Sequence, residues 1–251
     1  MEKQYSLIGG SFMVRSGLIA GLLLLFSCAI AANNQLPTSA RSIAAINKVE
    51  PVLIKALSEK SLRYGAPIFI RIFKRSATLE VWLQAESGRF ELFKVYDICA
   101  QSGRLGPKLR RGDRQAPEGF YFVNAQRFNP WSKFHLSFNL GYPNAYDRAH
   151  GRTGSALMVH GDCVSIGCYA MTDSGIEEIY ALAQKALEDG QPFFRVHIFP
   201  FRLSDEALER VKNNRWYTFW LNLKQGFDYF EQTKIPPNVN VQNKRYVFSA
   251  P

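Results

Sequence analysis

A mostly β fold with peripheral helices is predicted by three features of this sequence. Apolar residues between Ile68 and Phe199 recur with period two, the spacing that lines one face of a strand. Gly, Pro and Asn interrupt those runs at short intervals, as turns do. Helical spacing is confined to the two ends and to one segment after Asp173. A chain of 251 residues, 47% apolar, can bury one full core and fits one domain with appendages better than two equal ones.

Residues 1–32 read as a secretory leader. Lys3 and Arg15 precede the apolar run Leu18 to Phe26, and the small residues Ala29 and Ala31 follow where a signal peptidase cuts. The run is short for the ~20 residues of a spanning helix, so an uncleaved inner-membrane anchor is the second reading. Leu25-Phe26-Ser27-Cys28 is a faint lipoprotein box, spoiled by bulky Phe26. Export to the periplasm is therefore expected, and it argues against nucleic acid as the partner of a +10 net charge.

Residues 33–61 form an N-terminal helical appendage in this reading. Ser39 to Leu62 is helical, Pro51 suits the first turn of a second helical piece, and Leu53, Ile54, Leu57 and Leu62 face a core. Residues 62–201 form the strand-rich main domain. Its strands begin with Ile68, Ile70, Ile72 and Leu79, Val81, Leu83, and continue past the Ser87-Gly88 turn to Phe90–Ile98. A basic loop carrying Arg104, Lys108, Arg110, Arg111 and Arg114 runs from Ser102-Gly103 to Pro117-Glu118-Gly119.

Further strands are expected at Phe120–Val123, Phe134–Leu140, Ala156–His160 and Phe193–Phe199. Ser174 with Glu177 makes a capping box for a helix whose Ile176, Ile179, Tyr180, Ala183 and Leu187 share a face. Residues 202–251 are a helical and basic extension: Ser204 caps a short helix, Trp216 to Tyr229 forms another, and the segment after Pro236-Pro237 is an irregular tail.

Beyond the leader remain Cys99, Cys163 and Cys168, too few and too odd for a disulfide framework. At least one thiol is free or paired between chains, and Cys99 is assigned to the core. A strand delivers His160 to its end, and Gly161 and Gly167 let the short loop to Cys168 change direction sharply. A thiol titrating at ~8.5 needs a partner such as imidazole to become a nucleophile at neutral pH.

Amides near Gly167 and Cys168 can face a developing oxyanion. Ser165 either orients His160, touches substrate or bonds its own backbone. Cys163 offers two rival chemistries, a redox couple with Cys168 or a zinc site with His160 and Cys168. On the residues alone, catalysis by Cys168 with His160 and a buried cysteine beside an ordinary loop histidine are both open. His135 and His197 sit within strand-like runs and read as structural.

His160-Gly161 followed by Ser165-Ile166-Gly167-Cys168 resembles the YkuD-like L,D-transpeptidases, and Tyr169 to Asp173 resembles their YafK-type murein branch. Gly112 to Tyr121 and Tyr142-Pro143-Asn144 extend the similarity, which spans about Leu62 to Phe201. Ile166 and Ala170 depart from the commoner pattern of the superfamily and match the YafK-type branch.

The resemblance implies a β-sandwich, no cofactor and no metal. It also implies that Cys168 attacks an L,D peptide bond at meso-diaminopimelate to form a thioester, with His160 as proton shuttle. An amine acceptor then gives a crosslink. Water instead gives an L,D-carboxypeptidase, or an amidase that releases a peptide or lipoprotein. The partners implied are peptidoglycan stem peptides and lipoprotein-linked peptidoglycan. Arg114 and Arg110 are candidates for binding carboxylates. Tyr142, Asn144 and Gly161 are further candidates for binding substrate, with Asp147 helping Tyr142 and Asn144 to shape the pocket, although Tyr142-Pro143-Asn144 equally describes a simple turn. A non-catalytic cell wall binding module is the rival outside enzymes.

Overall fold

The computed structural model describes residues 36–251 and the isolated positions 4, 9 and 10. The leader and anchor readings of residues 1–32 lie outside the described residues. Contacts divide the chain into Met1–Asn33 and Asn34–Pro251, and the second unit is the one described below. No helix among the described residues is long and apolar enough to cross a membrane.

Helix α1 (Ala40–Ser58) precedes β1 (Ile68–Phe73), β2 (Thr78–Gln84), β3 (Phe90–Asp97) and the short β4 (Ala100–Gln101). After the basic loop come β5 (Gly119–Val123), β6 (Phe128–Asn129), β7 (Ser137–Asn139), helix α2 (Ala145–Ala149), β8 (Met158–His160) and β9 (Tyr169–Ala170). Helix α3 (Asp173–Glu188), β10 (Phe194–Phe199), helices α4 (Asp205–Glu209) and α5 (Tyr217–Thr233), and strands β11 (Asn238–Gln242) and β12 (Arg245–Ser249) complete the unit.

Two five-stranded mixed sheets form the sandwich, ordered β3-β2-β1-β10-β5 and β4-β9-β8-β7-β6. The β1–β10 and β8–β9 pairs are parallel and the other pairs antiparallel. Ile70, Val81 and Val196 of the first sheet share one core with Phe138, Val159 and Tyr169 of the second. The rings of Phe138 and Phe194 meet across the sheets at 5.4 Å. Leu53 and Leu57 of α1 and Ile176 and Ile179 of α3 enter the same core. The expected class, mostly β with peripheral helices in a β-sandwich, is the one observed.

The outer face of the first sheet is covered too. Phe69, Phe73, Trp82 and Phe199 pack against the α5 residues Trp220, Leu223, Phe227 and Phe230. All six residues of β1 are therefore buried, although it carries a charge. Arg71 donates from Nε to Glu80 at 2.8 Å and from Nη1 to Glu231 of α5 at 2.6 Å, and its guanidinium lies 4.8 Å from the rings of Trp82 and Phe230. A charge buried this way is tolerable only because it is paired on both sides.

Four local expectations are corrected. α1 runs unbroken through Pro51, which sits on the exposed side, while Val49, Leu53 and Leu57 pack one stripe towards α3. The packing offsets the one backbone bond that Pro51 lacks. Ile54 is 48% exposed and does not face the core. Thr172, not Ser174, caps α3, accepting the Gly175 N–H at 3.0 Å. The expected irregular tail is the hairpin β11–β12, whose Asn243 and Lys244 have φ of +48° and +59°. Two left-handed central residues are what a tight hairpin turn of matching twist requires.

Candidate active site

Alternation decides which side chains of the second sheet face away from the main core. Phe138, Val159 and Tyr169 point into the core, so Ser137, Met158, His160 and Ala170 point the other way. Ser137 is opposite His160 across β7–β8, and His160 is opposite Ala170 across β8–β9. Ser137 Oγ approaches Met158 Sδ at 3.4 Å on that same face.

Cys168 precedes core-facing Tyr169 and by the same alternation shares the face of His160. Its Sγ accepts the Met158 N–H at 3.4 Å and lies 3.7 Å from the Ala156 carbonyl oxygen. Two residues along β8 and one strand across separate it from His160, about 8 Å between backbones from strand dimensions. No hydrogen bond joins Sγ to the imidazole among the described residues. Thiol and ring share one face of the sheet.

His160 is buried with its ring 4.7 Å from that of Phe134. Nδ1 is 2.6 Å from the carbonyl oxygen of Gly161. A carbonyl only accepts, so Nδ1 carries the hydrogen and Nε2 keeps the lone pair a general base needs. Burial holds the imidazole pKa below its ordinary value, against the Gly161 bond and the charge of Asp162. Burial likewise pushes the Cys168 thiol up, against the Met158 N–H and the Lys108 ammonium. Both shifts favour the uncharged pair of thiol and neutral imidazole.

The connecting loop is held at both ends. Gly161 donates to the carbonyls of Phe134 and Leu136 at 3.0 and 3.2 Å, and a Cβ there would come within 2.5 Å of Asp173 Oδ1. Gly161 thus supplies a close approach and the carbonyl that fixes the His160 tautomer. Gly167 has φ of +150°, a region essentially closed to other residues.

Ser165 Oγ donates to the Cys168 carbonyl at 2.7 Å and accepts the Gly167 N–H at 3.2 Å. Ser165 therefore orients its own loop and does not bond His160. The Gly167 amide, expected as an oxyanion donor, is committed to that ring, and the Cys168 amide lies outside it.

Cys163 is bonded to Cys99, and Cys168 is the free cysteine among the described residues. This overturns the redox couple of Cys163 with Cys168, the zinc set with His160, and the placement of Cys99 in the core. Both disulfide-bonded residues are exposed.

The basic loop walls the site and is anchored by two buried lysines. Lys74 Nζ donates to the carbonyls of Arg104, Gly106 and Ala116 at 2.8, 2.9 and 3.0 Å and pairs with Glu118, which also accepts the Trp220 Nε1–H at 2.8 Å. Lys108 pairs with Asp113, donates to the Arg110 carbonyl at 3.0 Å, and lies beneath Gly154. Sequence reasoning passed over Lys108 because nothing local separates the one buried cation of that cluster from its exposed neighbours.

The remaining candidates are dispersed. Arg110 and Arg114 are exposed, and Arg110 lines a surface cleft with Arg104, Arg215 and Trp216. Tyr142 is buried and donates to the Lys108 carbonyl at 3.1 Å, bracing the wall. Asn144 caps α2 and donates to the Phe120 carbonyl and to Tyr246 Oη, both at 2.8 Å, so its amide is taken up by the fold. The capping pair Asn144 and Asp147 was a readable signal for α2. His135 bonds Glu177 at 3.0 Å, and His197 is enclosed by Phe69 and Phe120.

Compared with known families, residues 73–198 match the YkuD model, an L,D-transpeptidase catalytic domain. Two curated relatives, each described as "Putative L,D-transpeptidase YafK" and coming from Escherichia coli strains K12 and O157:H7, are 50% identical over 187 residues, 74% of this chain and 76% of theirs. Among solved structures, the helical cell shape determining protein Pgp2 from Campylobacter jejuni aligns at 17% identity with a TM-score of 0.43, covering 76% of this chain and 80% of that one. Its K307A mutant aligns at 18% identity and a TM-score of 0.46, covering 83% and 87%.

Proposed function

We propose, from the premise that this chain belongs to the YkuD family of L,D-transpeptidase catalytic domains, that Cys168 and His160 perform acyl transfer on peptidoglycan stem peptides at meso-diaminopimelate. The family consists of enzymes that act on peptidoglycan peptides. The observation that carries the finer reading is the shared outward face of His160 and Cys168, with the imidazole tautomer fixed by Gly161.

In this reading the substrate carbonyl enters between thiol and ring. His160 Nε2 takes the thiol proton, and Sγ attacks the carbonyl carbon. The Cys168 N–H faces the oxygen as charge develops on it. Collapse breaks the C–N bond, and His160 passes its proton to the departing amine. A thioester remains on Cys168. An incoming amine, deprotonated by Nε2, then makes a crosslink, whereas water releases a carboxylate and makes the protein a carboxypeptidase or amidase. Lipoprotein-linked peptidoglycan is the substrate of the amidase form, and the periplasm is the compartment where either substrate is met.

The test is to incubate the full chain with defined muropeptides, with and without an acceptor amine, and follow mass. A crosslinked product supports transfer and a water-added fragment supports hydrolysis. Absence of both, with no acyl adduct on Cys168, would sink the mechanism. Partition between amine and water is the quantity to measure first.

A further inference from the structure

We propose that the Cys99–Cys163 disulfide is a positioning clamp for the loop between His160 and Cys168, and that a dithiol which opens it slows the chemistry of Cys168. The catalytic half of this statement rests on the proposed function; the positioning half does not.

Cys163 lies within the loop that joins the two candidate catalytic residues, and its partner Cys99 stands between β3 and β4, where the chain crosses from one sheet to the other. The next residue, Ala100, pairs with Ala170 of β9, and Ala170 pairs with His160. The disulfide thus ties the loop to the strand row that carries His160. Its Cα–Cα span of 5.2 Å bridges 64 positions of sequence.

Other restraints on this part of the loop are few. The Asp162 N–H donates to Asp173 Oδ1 at 2.9 Å, and the Cys163 N–H reaches the Met171 carbonyl at 3.4 Å. Val164 and Ile166 beyond it are 52% and 82% exposed and add little packing. Yet Asp162 and Cys163 hold φ of +62° and +23°, conformations that persist only where the surroundings impose them. With the sulfur bond cut, one long hydrogen bond is left at Cys163 to impose its own.

The route to the chemistry is short. Asp162 follows Gly161, whose carbonyl holds the His160 Nδ1 hydrogen. Relaxation of Asp162 and Cys163 towards negative φ turns the Gly161 peptide, and the imidazole loses the contact that fixes its tautomer. Cys99 and Cys163 therefore act as positioning residues, through Gly161 and His160.

Exposure of both cysteines makes the bond accessible. A dithiol thiolate attacks one sulfur to give a mixed disulfide and a protein thiolate, and its second thiol then displaces the other sulfur. The protein gains two thiols, and the reagent becomes the disulfide.

The experiment compares three forms of the full chain: oxidised wild type, wild type held in dithiothreitol, and Cys99→Ser/Cys163→Ser. Circular dichroism and thermal melting establish that each is folded at the assay temperature. Nitrogen NMR then reads the His160 tautomer, and peptide mass mapping reads iodoacetamide labelling of Cys168 against pH. Turnover of muropeptides is followed alongside.

Opening the clamp is expected to mix the His160 tautomers, change the pH profile of Cys168 labelling and lower kcat about ten- to a hundredfold with little change in KM. Reoxidation restores wild type alone. An unchanged tautomer and labelling profile in folded, clamp-free protein overturns the proposal, as does a loss that only tracks unfolding. If the double variant does not fold, the reduced wild type decides between these outcomes. If no form turns over muropeptides while tautomer and labelling still respond to reduction, the clamp stands and the proposed function falls.

Discussion

The two sheets of this molecule are built alike and used differently. The first is covered on both faces, by the second sheet and by α5, and even its charged Arg71 is enclosed. The second buries Phe138, Val159 and Tyr169 on one face and turns Ser137, Met158, His160 and Cys168 to the other. Its strands are short, and loops hold its outward groups. The first sheet is the more enclosed and the proposed chemistry lies on the second, so substitutions in the two should fail in different ways.

Cys168→Ala should cut any acyl transfer by about 10⁴-fold or more, since the covalent step is lost. It should leave stability within about 0.5–1 kcal/mol, because the half-exposed thiol leaves a small gap. A melting point that falls far would place Cys168 among the structural residues and erase the contrast. His160→Gln keeps a planar polar side chain without a titrating ring and should cost about 10²–10⁴-fold in kcat.

Arg71→Ala tests the other sheet. It removes the buried cation that Glu80 and Glu231 share, leaving Glu80 to Arg202 and Trp82 and Glu231 to Lys234, and should cost about 3 kcal/mol by denaturant unfolding. Turnover per folded molecule should not change. If it does, the sheets are coupled more tightly than their separate roles imply.

Smaller effects sharpen the picture within the site. Burial raises the Cys168 thiol, so labelling by iodoacetamide should climb with pH through a midpoint above the ~8.5 of a free thiol. Lys108 favours the thiolate, so Lys108→Met should move that midpoint higher still and slow labelling several-fold at pH 7.5, on the order expected for one nearby charge. A midpoint that stays put would detach Lys108 from the thiol. Ser165→Ala removes the ring of loop hydrogen bonds and should cost about 1 kcal/mol, roughly fivefold in kcat.

What could be read from the sequence followed the same division. β1, β2 and β10 were legible because branched and aromatic residues alternate there, and the loop from His160 to Cys168 was legible because two glycines bracket it. The cover on the outer face of the first sheet was not, since Phe69, Arg71 and Phe73 match either solvent or a second layer until α5 is placed upon them. The final hairpin was hidden by its weakly apolar strands and by a turn made from Asn243 and Lys244 without glycine.

The partner of Cys163 was illegible for a plainer reason. Proximity to Cys99 is a product of β4 pairing with β9 and has no local trace. Burial of Lys108 is likewise set by Gly154 and Asp113, which the fold and not the neighbouring residues bring to it.

β1 pairs in parallel with β10, and α5 and the hairpin that shield its outer side come later still. During synthesis the stretch Ile68-Phe69-Ile70-Arg71-Ile72-Phe73 must therefore wait, bare on one edge, until nearly the whole polypeptide has emerged. Arg71 then has a second use, as the lone charge that discourages this segment from stacking with copies of itself. Recombinant yield should depend on that wait, improving in slow, cool expression or with a holding chaperone, and falling further for Arg71→Ile, which lengthens the apolar run, than for Arg71→Ala.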